Sequence, residues 1–230
     1  MQALLLLGLS TCAPAPSSAP VPAESRVVPV EREPRHRPVF QNDLVRILDV
    51  RVSPGDTTGY HVHAHRLIGV ALLDARTWFQ SLGAQPDPPV MPRAVPYLFD
   101  NWAGPLPYTH RGANVDSVPL HYLVAERLAP SPTDAPALAD TPTRRMVKEG
   151  ALGRIYQVTL APHAATEPHT HAAPGLTLLA TPGTLVDQGN APAAVGGTGV
   201  GRWSWRNPGH RHVLRNEGAA PVTVYELDWR

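Results

Sequence analysis

The residues of this chain best equipped for chemistry are two short triplets, His61-Val62-His63 and His169-Thr170-His171. Imidazole moves protons near neutral pH and ligates transition metals through either ring nitrogen. Residues two apart in a strand share a face, so each triplet aims two imidazoles into one space. Each is followed by an apolar run, Leu67-Ile68-Gly69-Val70-Ala71-Leu72-Leu73 and Gly175-Leu176-Thr177-Leu178-Leu179. Two further histidines, His110 and His212, stand at matching distances downstream.

That match extends along the chain. Shifted by 108 residues, the first half falls on the second without a gap from Arg46/Arg154 through Ile47/Ile155, Val50/Val158, Pro54/Pro162 and Thr58/Thr166 to His61/His169 and His63/His171. After a shorter loop the shift becomes 102, pairing His110 with His212, Asn114 with Asn216 and Pro119 with Pro221. An internal repeat marks one structural unit used twice. It also sorts the eleven histidines. Three pairs coincide, whereas His36, His65, His121, His163 and His210 have no counterpart. The six paired residues are the candidate metal ligands; a retained polar lining without metal is the alternative.

The elements that must position them are strands. Val45 to Val52 alternates as a half-buried strand does, Ser53-Pro54-Gly55-Asp56 is a turn signal, and Val95–Phe99 and Leu120–Val124 are further strand candidates. No stretch has convincing helical periodicity. Short strands, Gly/Pro turns and duplication predict an all-β protein of two tandem barrels or sandwiches, at 39–128 and 148–230, joined by a Pro-rich linker at 129–147.

The 230 residues are 43% apolar with a formal charge of +1, which gives no electrostatic case for nucleic acid. Ala3 to Leu9 is apolar but too short to span a bilayer, and it ends in Leu9-Ser10-Thr11-Cys12, with Cys12 the only cysteine. This resembles a lipoprotein signal peptide, with departures at Thr11 and in the missing basic residues. It implies removal of the segment before Cys12 (1–12 as signal), lipidation of Cys12, export and anchoring at the periplasmic face. Residues 13–38, rich in Pro, Ala and Ser and then charged, read as an extended tether.

Pro208-Gly209-His210-Arg211-His212-Val213-Leu214-Arg215-Asn216, His110-Arg111-Gly112-Ala113-Asn114 and the two His-x-His triplets resemble the motifs of the cupin superfamily, over residues from about Val39 to Arg230. The resemblance implies a bicupin, with two jelly-roll barrels in tandem. It also implies an acidic ligand four or five residues after each His-x-His. Leu67 or Ile68 and Gly175 or Leu176 stand there instead, so the implied site has three histidines per barrel, or has lost its metal.

Three neutral imidazoles suit Fe, Zn, Cu or Ni better than Mg or Ca. Three protein ligands leave positions for water, substrate or oxygen, as a catalytic site requires. A small organic ligand, with oxidoreductase chemistry of the dioxygenase kind, is one expectation; a non-catalytic binding or sensing module is the other. A homodimer is allowed. Tyr60 and Glu167 are acid/base candidates, weighed against a rim aromatic and an exposed charge, and Asp74 or Glu167 is a candidate for completing the ligand set from a distance.

Overall fold

The computed structural model describes residues 26–101, 104–131, 135–189 and 199–230. Cys12 and the segment before it lie outside the described residues. Among those residues there is no α-helix, only one short 3-10 turn, Val30–Arg32, and no helix is long and apolar enough to cross a membrane. The protein is all-β, as the patterning predicts.

Barrel 1 comprises β1 (Val28–Pro29), β2 (His36–Gln41), β3 (Val45–Val52), β4 (His61–His63), β5 (Leu67–Leu73), β6 (Thr77–Ser81), β7 (Tyr97–Asp100), β8 (Tyr108–Asn114) and β9 (Leu120–Arg127). They form a five-stranded sheet, β2-β3-β9-β5-β7, and a four-stranded sheet, β1-β4-β8-β6. Barrel 2 comprises β10 (Arg144–Gly150), β11 (Gly153–Leu160), β12 (His169–His171), β13 (Gly175–Leu179), β14 (Leu185–Asp187), β15 (Trp203–Arg206), β16 (His210–His212), β17 (Leu214–Asn216) and β18 (Val222–Trp229). Its five-stranded sheet runs β10-β11-β18-β13-β15, faced by the pairs β12-β16 and β14-β17. The registers repeat: His61 sits opposite His110 as His169 sits opposite His212.

The five-stranded sheets are buried on both faces, which is why β5 and β13 read as near-continuous apolar runs. Inner faces line each barrel: Leu48, Val50, Leu67 and Val124 in the first, Val158, Leu160, Leu179, Val222 and Val224 in the second. Outer faces meet each other. Val45, Ile47, Ile68, Val70 and Leu123 form one core with Ile155, Leu176, Leu178, Leu227 and Trp229, so the barrels are joined through their large sheets. Trp203 and Trp205 belong to this junction, against Phe40, with ring centroids 5.7 and 5.5 Å away.

Two segments fold where composition alone predicts tether and linker. Residues 26–38 are ordered: β1 pairs in parallel with β4, and Val30, Glu33 and His36 are buried. The charges that suggest a solvated tether are matched, Arg35 by Asp56 and Glu33, Arg37 by Asp49. Strand β10 begins within the expected linker; it is an edge strand with a mostly exposed pattern, and such strands lack an apolar signature.

Candidate metal centres

In barrel 2 the antiparallel pair β12-β16 brings His169, His171 and His212 to one face, and each Nδ1 is committed. His169 Nδ1 lies 2.9 Å from the Glu167 carbonyl oxygen, His171 Nδ1 2.6 Å from Asp228 Oδ1, and His212 Nδ1 3.0 Å from Asp187 Oδ2. These partners only accept, so each Nδ1 carries the proton and each Nε2 presents a lone pair inward. The three Nε2 atoms converge on Glu226, at 3.3 Å from Oε2 for His169 and 3.2 and 3.0 Å from Oε1 for His171 and His212. His169 and His212 bring Nε2 within 3.0 Å of each other.

A metal ion can sit between these nitrogens and the carboxylate; without one, an Nε2 proton shared with Glu226 fills the same role. A metal held through bonds of about 2.0–2.2 Å has ligand atoms about 3 Å apart at right angles, which is the spacing observed. One ligand atom from each of His169, His171, His212 and Glu226 falls within a 4.8 Å group. The donor set fits a transition metal. Without one, burial opposes charge on Glu226, but the charges and hydrogen bonds of His171, His169 and His212 outweigh it and hold the carboxyl well below its usual range. Burial works against protonation of His212, yet Asp187 and Glu226 raise its pKa.

Barrel 1 repeats the triangle of rings. Centroid separations for His61–His63, His61–His110 and His63–His110 are 5.0, 4.5 and 5.2 Å, against 5.1, 4.5 and 5.2 Å for the matching pairs of barrel 2. Rings directing one nitrogen at a common ion have centroids about 4.6 Å apart at right angles and about 5.3 Å at the tetrahedral angle. His61 Nδ1 lies 2.9 Å from the Gly59 carbonyl oxygen, as in the copy. Glu126 is the counterpart of Asp228, 3.5 Å from His63 Nδ1.

The remaining positions differ. Val124 stands where barrel 2 has Glu226, so no carboxylate enters the ring triangle from β9. Phe79 stands where barrel 2 has Asp187, and it stacks on His110 at 5.8 Å instead of accepting its proton. Both His110 ring nitrogens, His61 Nε2 and His63 Nδ1 are buried without a hydrogen bond. Burial, then His36 and His63, push the His61 pKa down to about 3; burial, then His61, His63 and His36, push that of His110 well below the usual range. His61 and His110 are neutral, in ligand form.

The barrels also differ in free space. Barrel 1 encloses a cavity of about 370 Å³ beside its histidines, walled by Phe79, Phe99, Tyr108, Tyr122 and apolar β3 and β5 side chains. Asp74 lies in that wall and accepts hydrogen bonds from the hydroxyls of Tyr97 (3.0 Å) and Tyr122 (2.8 Å). In barrel 2, Leu179, Leu185, Leu214 and Val224 occupy the matching interior as tightly buried core.

All six sequence-predicted ligands thus gather in two triads. Neither Asp74 nor Glu167 completes a ligand set: Asp74 holds the two tyrosines, and Glu167 contributes its backbone carbonyl while its side chain is exposed. Tyr60 is buried beneath the Arg111 guanidinium, 4.9 Å from its ring centroid. Glu226 escapes the family's spacing because it arrives on the last strand, not on the strand after His-x-His. Its signal is the alternation Val224-Tyr225-Glu226-Leu227-Asp228, two acids on one face of an apolar strand.

No protein-family model and no curated protein sequence matches the chain. Solved structures do. AerE from Microcystis aeruginosa has a TM-score of 0.56 at 14% identity, over 86% of this chain and 98% of that one. Salicylate 1,2-dioxygenase from Pseudaminobacter salicylatoxidans has 0.55 at 10% identity, over 86% and 77%, and a variant of it in complex with gentisate has 0.57 at 11%, over 87% and 76%. Bacillus subtilis oxalate decarboxylase, a protein with Mn(II) centres, has 0.50 at 14%, over 82% and 69%. At these identities the likeness shows the fold, that of tandem cupin barrels.

Proposed function

We propose that this bicupin holds a transition metal in each barrel and binds a small, largely apolar organic molecule in barrel 1, where it acts as an oxidoreductase of the dioxygenase kind. The observation that carries the metal reading is the convergence of three Nε2 lone pairs on Glu226 with every Nδ1 already committed. His169, His171, His212 and Glu226 hold the metal of barrel 2; His61, His63 and His110 hold that of barrel 1. Fe, Zn, Cu and Ni all suit these nitrogen-rich sets, and the likeness to oxalate decarboxylase adds Mn.

The two sites serve different ends. Barrel 2 is filled and supplies a carboxylate, which suits a resident, structural ion. Barrel 1 has open volume beside its imidazoles, at the small end of the range for ligand pockets. A metal there supplies Lewis acidity or oxygen activation. The aromatic wall accommodates the apolar body of a ligand. Phe79 and Tyr108 flank His110 and keep bulk water off it. The likeness to a salicylate 1,2-dioxygenase, a variant of which is seen in complex with gentisate, supports an aromatic or similarly compact substrate.

A second reading, non-catalytic binding or sensing, is favoured by the fact that Asp74, one of two aspartates lining the cavity, is already hydrogen-bonded to two tyrosines. Oxygen consumption decides between them. Metal-loaded protein screened with small aromatic acids consumes oxygen on the first reading and binds without turnover on the second. Metal analysis of purified protein tests the premise of both, and absence of metal after incubation with Fe, Zn, Cu, Ni and Mn salts at about pH 7.5 overturns it.

For location, we propose export and lipid anchoring at Cys12, supported by Leu9-Ser10-Thr11-Cys12 ahead of a Pro-rich stretch. A Cys12→Ser variant that fractionates with membranes as fully as the wild type overturns this.

A further inference from the structure

We propose that His36 is a fourth ligand of the barrel 1 metal, carried into the site by the N-terminal strap of residues 26–41, so that barrel 1 is a four-histidine centre while barrel 2 is a three-histidine, one-carboxylate centre. This rests on the reading that barrel 1 binds metal. It adds a residue that the internal repeat cannot reveal, since the position matching His36 in barrel 2 is Arg144.

The strap is built as a positioning device. Strand β1 lies parallel to the His-x-His strand, with Val28 opposite His61 and Val28 N–H donating to the Tyr60 carbonyl oxygen at 3.1 Å. Val30 is buried in the barrel core with Leu48, Val50, Leu67 and Val124. The chain then turns, and β2 pairs with β3 so that His36 sits opposite Val50. His36 is thereby fixed from both sides.

Its ring is fixed as well. His36 Nδ1 lies 2.8 Å from Glu33 Oε2. Glu33 is itself buried and also accepts from the backbone N–H of Arg35 at 2.8 Å and of Gly59 at 3.1 Å. A buried carboxylate is costly unless it is fully engaged. Here it holds one imidazole proton at Nδ1 and leaves Nε2 as a lone pair, the same device that Asp228 and Asp187 apply in barrel 2.

His36 then meets the triad. Its ring centroid lies 4.2 Å from that of His61 and 6.0 Å from that of His63, and one nitrogen from each of the three falls within a 4.8 Å group. The separation of 4.2 Å is slightly closer than right-angle coordination gives, and 6.0 Å is wider than tetrahedral; the His110 ring, 4.5 Å from His61 and 5.2 Å from His63, stands outside the 4.8 Å group of His36, His61 and His63, so a four-histidine ion requires it to close in. Each barrel thus adds one private donor to its shared histidines, Glu226 to His169, His171 and His212, and His36 to His61 and His63. An all-imidazole set leaves the ion's full charge uncompensated and favours copper or zinc over harder ions.

The test uses full-length protein whose barrel 2 is disabled by His169→Gln with His212→Gln, and Cu2+ as the probe. Competitive titration gives the dissociation constant, and electron paramagnetic resonance counts coupled imidazole nitrogens. Adding His36→Gln is expected to weaken Cu2+ binding by on the order of 100-fold and remove one nitrogen. Adding Glu33→Gln instead, which keeps the imidazole, is expected to weaken binding about 10- to 100-fold with the nitrogen count unchanged. An unchanged constant and spectrum in His36→Gln, with binding lost in His61→Gln, overturns the proposal and leaves a three-histidine centre. No Cu2+ binding with His36 intact overturns it together with the metal reading of barrel 1.

Discussion

Barrel 1 and barrel 2 share the strand order of their five-stranded sheets, the pairing of their histidine strands and the same triangle of imidazoles, yet they surround it differently. In barrel 2, Glu226 enters from β18 and Asp187 from β14. In barrel 1 the matching residues are Val124 and Phe79, and Phe79 stacks on the histidine that Asp187 would have held. Leu214 fills barrel 2 where barrel 1 has Gly112, whose bare backbone makes room for Phe79; a Cβ added at Gly112 would lie 3.1 Å from the Phe79 ring. Duplication preserved the ring geometry and let charge and volume diverge. Charge went to the filled barrel, open space to the apolar one.

The largest expected effect comes from erasing the charge difference. Glu226→Val gives barrel 2 the side chain of barrel 1. It should weaken metal binding at barrel 2 by roughly a thousandfold, the share of one of four ligands in a tight site. Barrel 1 should be unaffected. Metal content per chain after dialysis against a weak chelator reads this directly. Retention of both ions would show that Glu226 is not a ligand.

Erasing the volume difference should cost stability. Leu214 is fully buried in the barrel 2 core, and Leu214→Ala should destabilise by about 2–5 kcal/mol, measured by denaturant unfolding. The converse change, Gly112→Leu, puts side chain into the cavity and should abolish small-molecule binding at barrel 1 while barrel 2 keeps its metal. A smaller effect is expected where the barrels agree. Asp228→Asn and Glu126→Gln each loosen the second histidine of a triplet and should weaken the adjacent metal site about 10- to 100-fold. The effect should be larger for Asp228, whose contact is 2.6 Å against 3.5 Å.

What could be read from the sequence divides along the same line. Features that survived duplication were legible: β3 runs Val45–Val52 as its alternation predicts, and all three histidine pairs meet as the two shifts require. Features private to one barrel were not. Glu226 was hidden because the resemblance directs attention to Gly175 and Leu176, and because its counterpart is a valine. His36 was hidden because its neighbours are prolines and charges. Only tertiary contact shows that Arg35 and Arg37 are matched by Asp56 and Asp49 while Val30 and Glu33 point inward. A comparison of copies finds what they share, so the residues that make each site particular must be sought where the copies disagree.

The last prediction sets the barrels against each other by pH in the metal-free protein. In barrel 1, His61 and His110 have pKa values lowered by burial and by the facing imidazoles of His36 and His63, that of His61 to about 3. An unfolded histidine titrates near ~6.5. Above that pH neither state takes a proton, and these groups cost nothing. Below it the unfolded chain binds protons that the folded barrel refuses, so stability falls as pH drops from about 6.5 toward about 3, by up to about 1.4 kcal/mol per pH unit for each such histidine. In barrel 2 the signs differ. His212 is raised, between Asp187 and Glu226, so its contribution is present below about 6.5 and is lost as pH rises through its folded value. Glu226 is lowered, so its contribution is present above about 4.5 and is lost as pH falls. Between about pH 6.5 and 4.5, acidification therefore weakens barrel 1, while in barrel 2 the contributions of His212 and Glu226 are present and stand against a loss at His210, whose pKa is lowered by burial and by His212. Amide hydrogen exchange of metal-free protein at about pH 7.5 and 5, compared at equal chemical exchange rate, should show protection of β4 and β8 falling while that of β12 and β16 holds. If both barrels lose protection together, or β12 and β16 lose it first, the electrostatic contrast between the two triads is not what separates them.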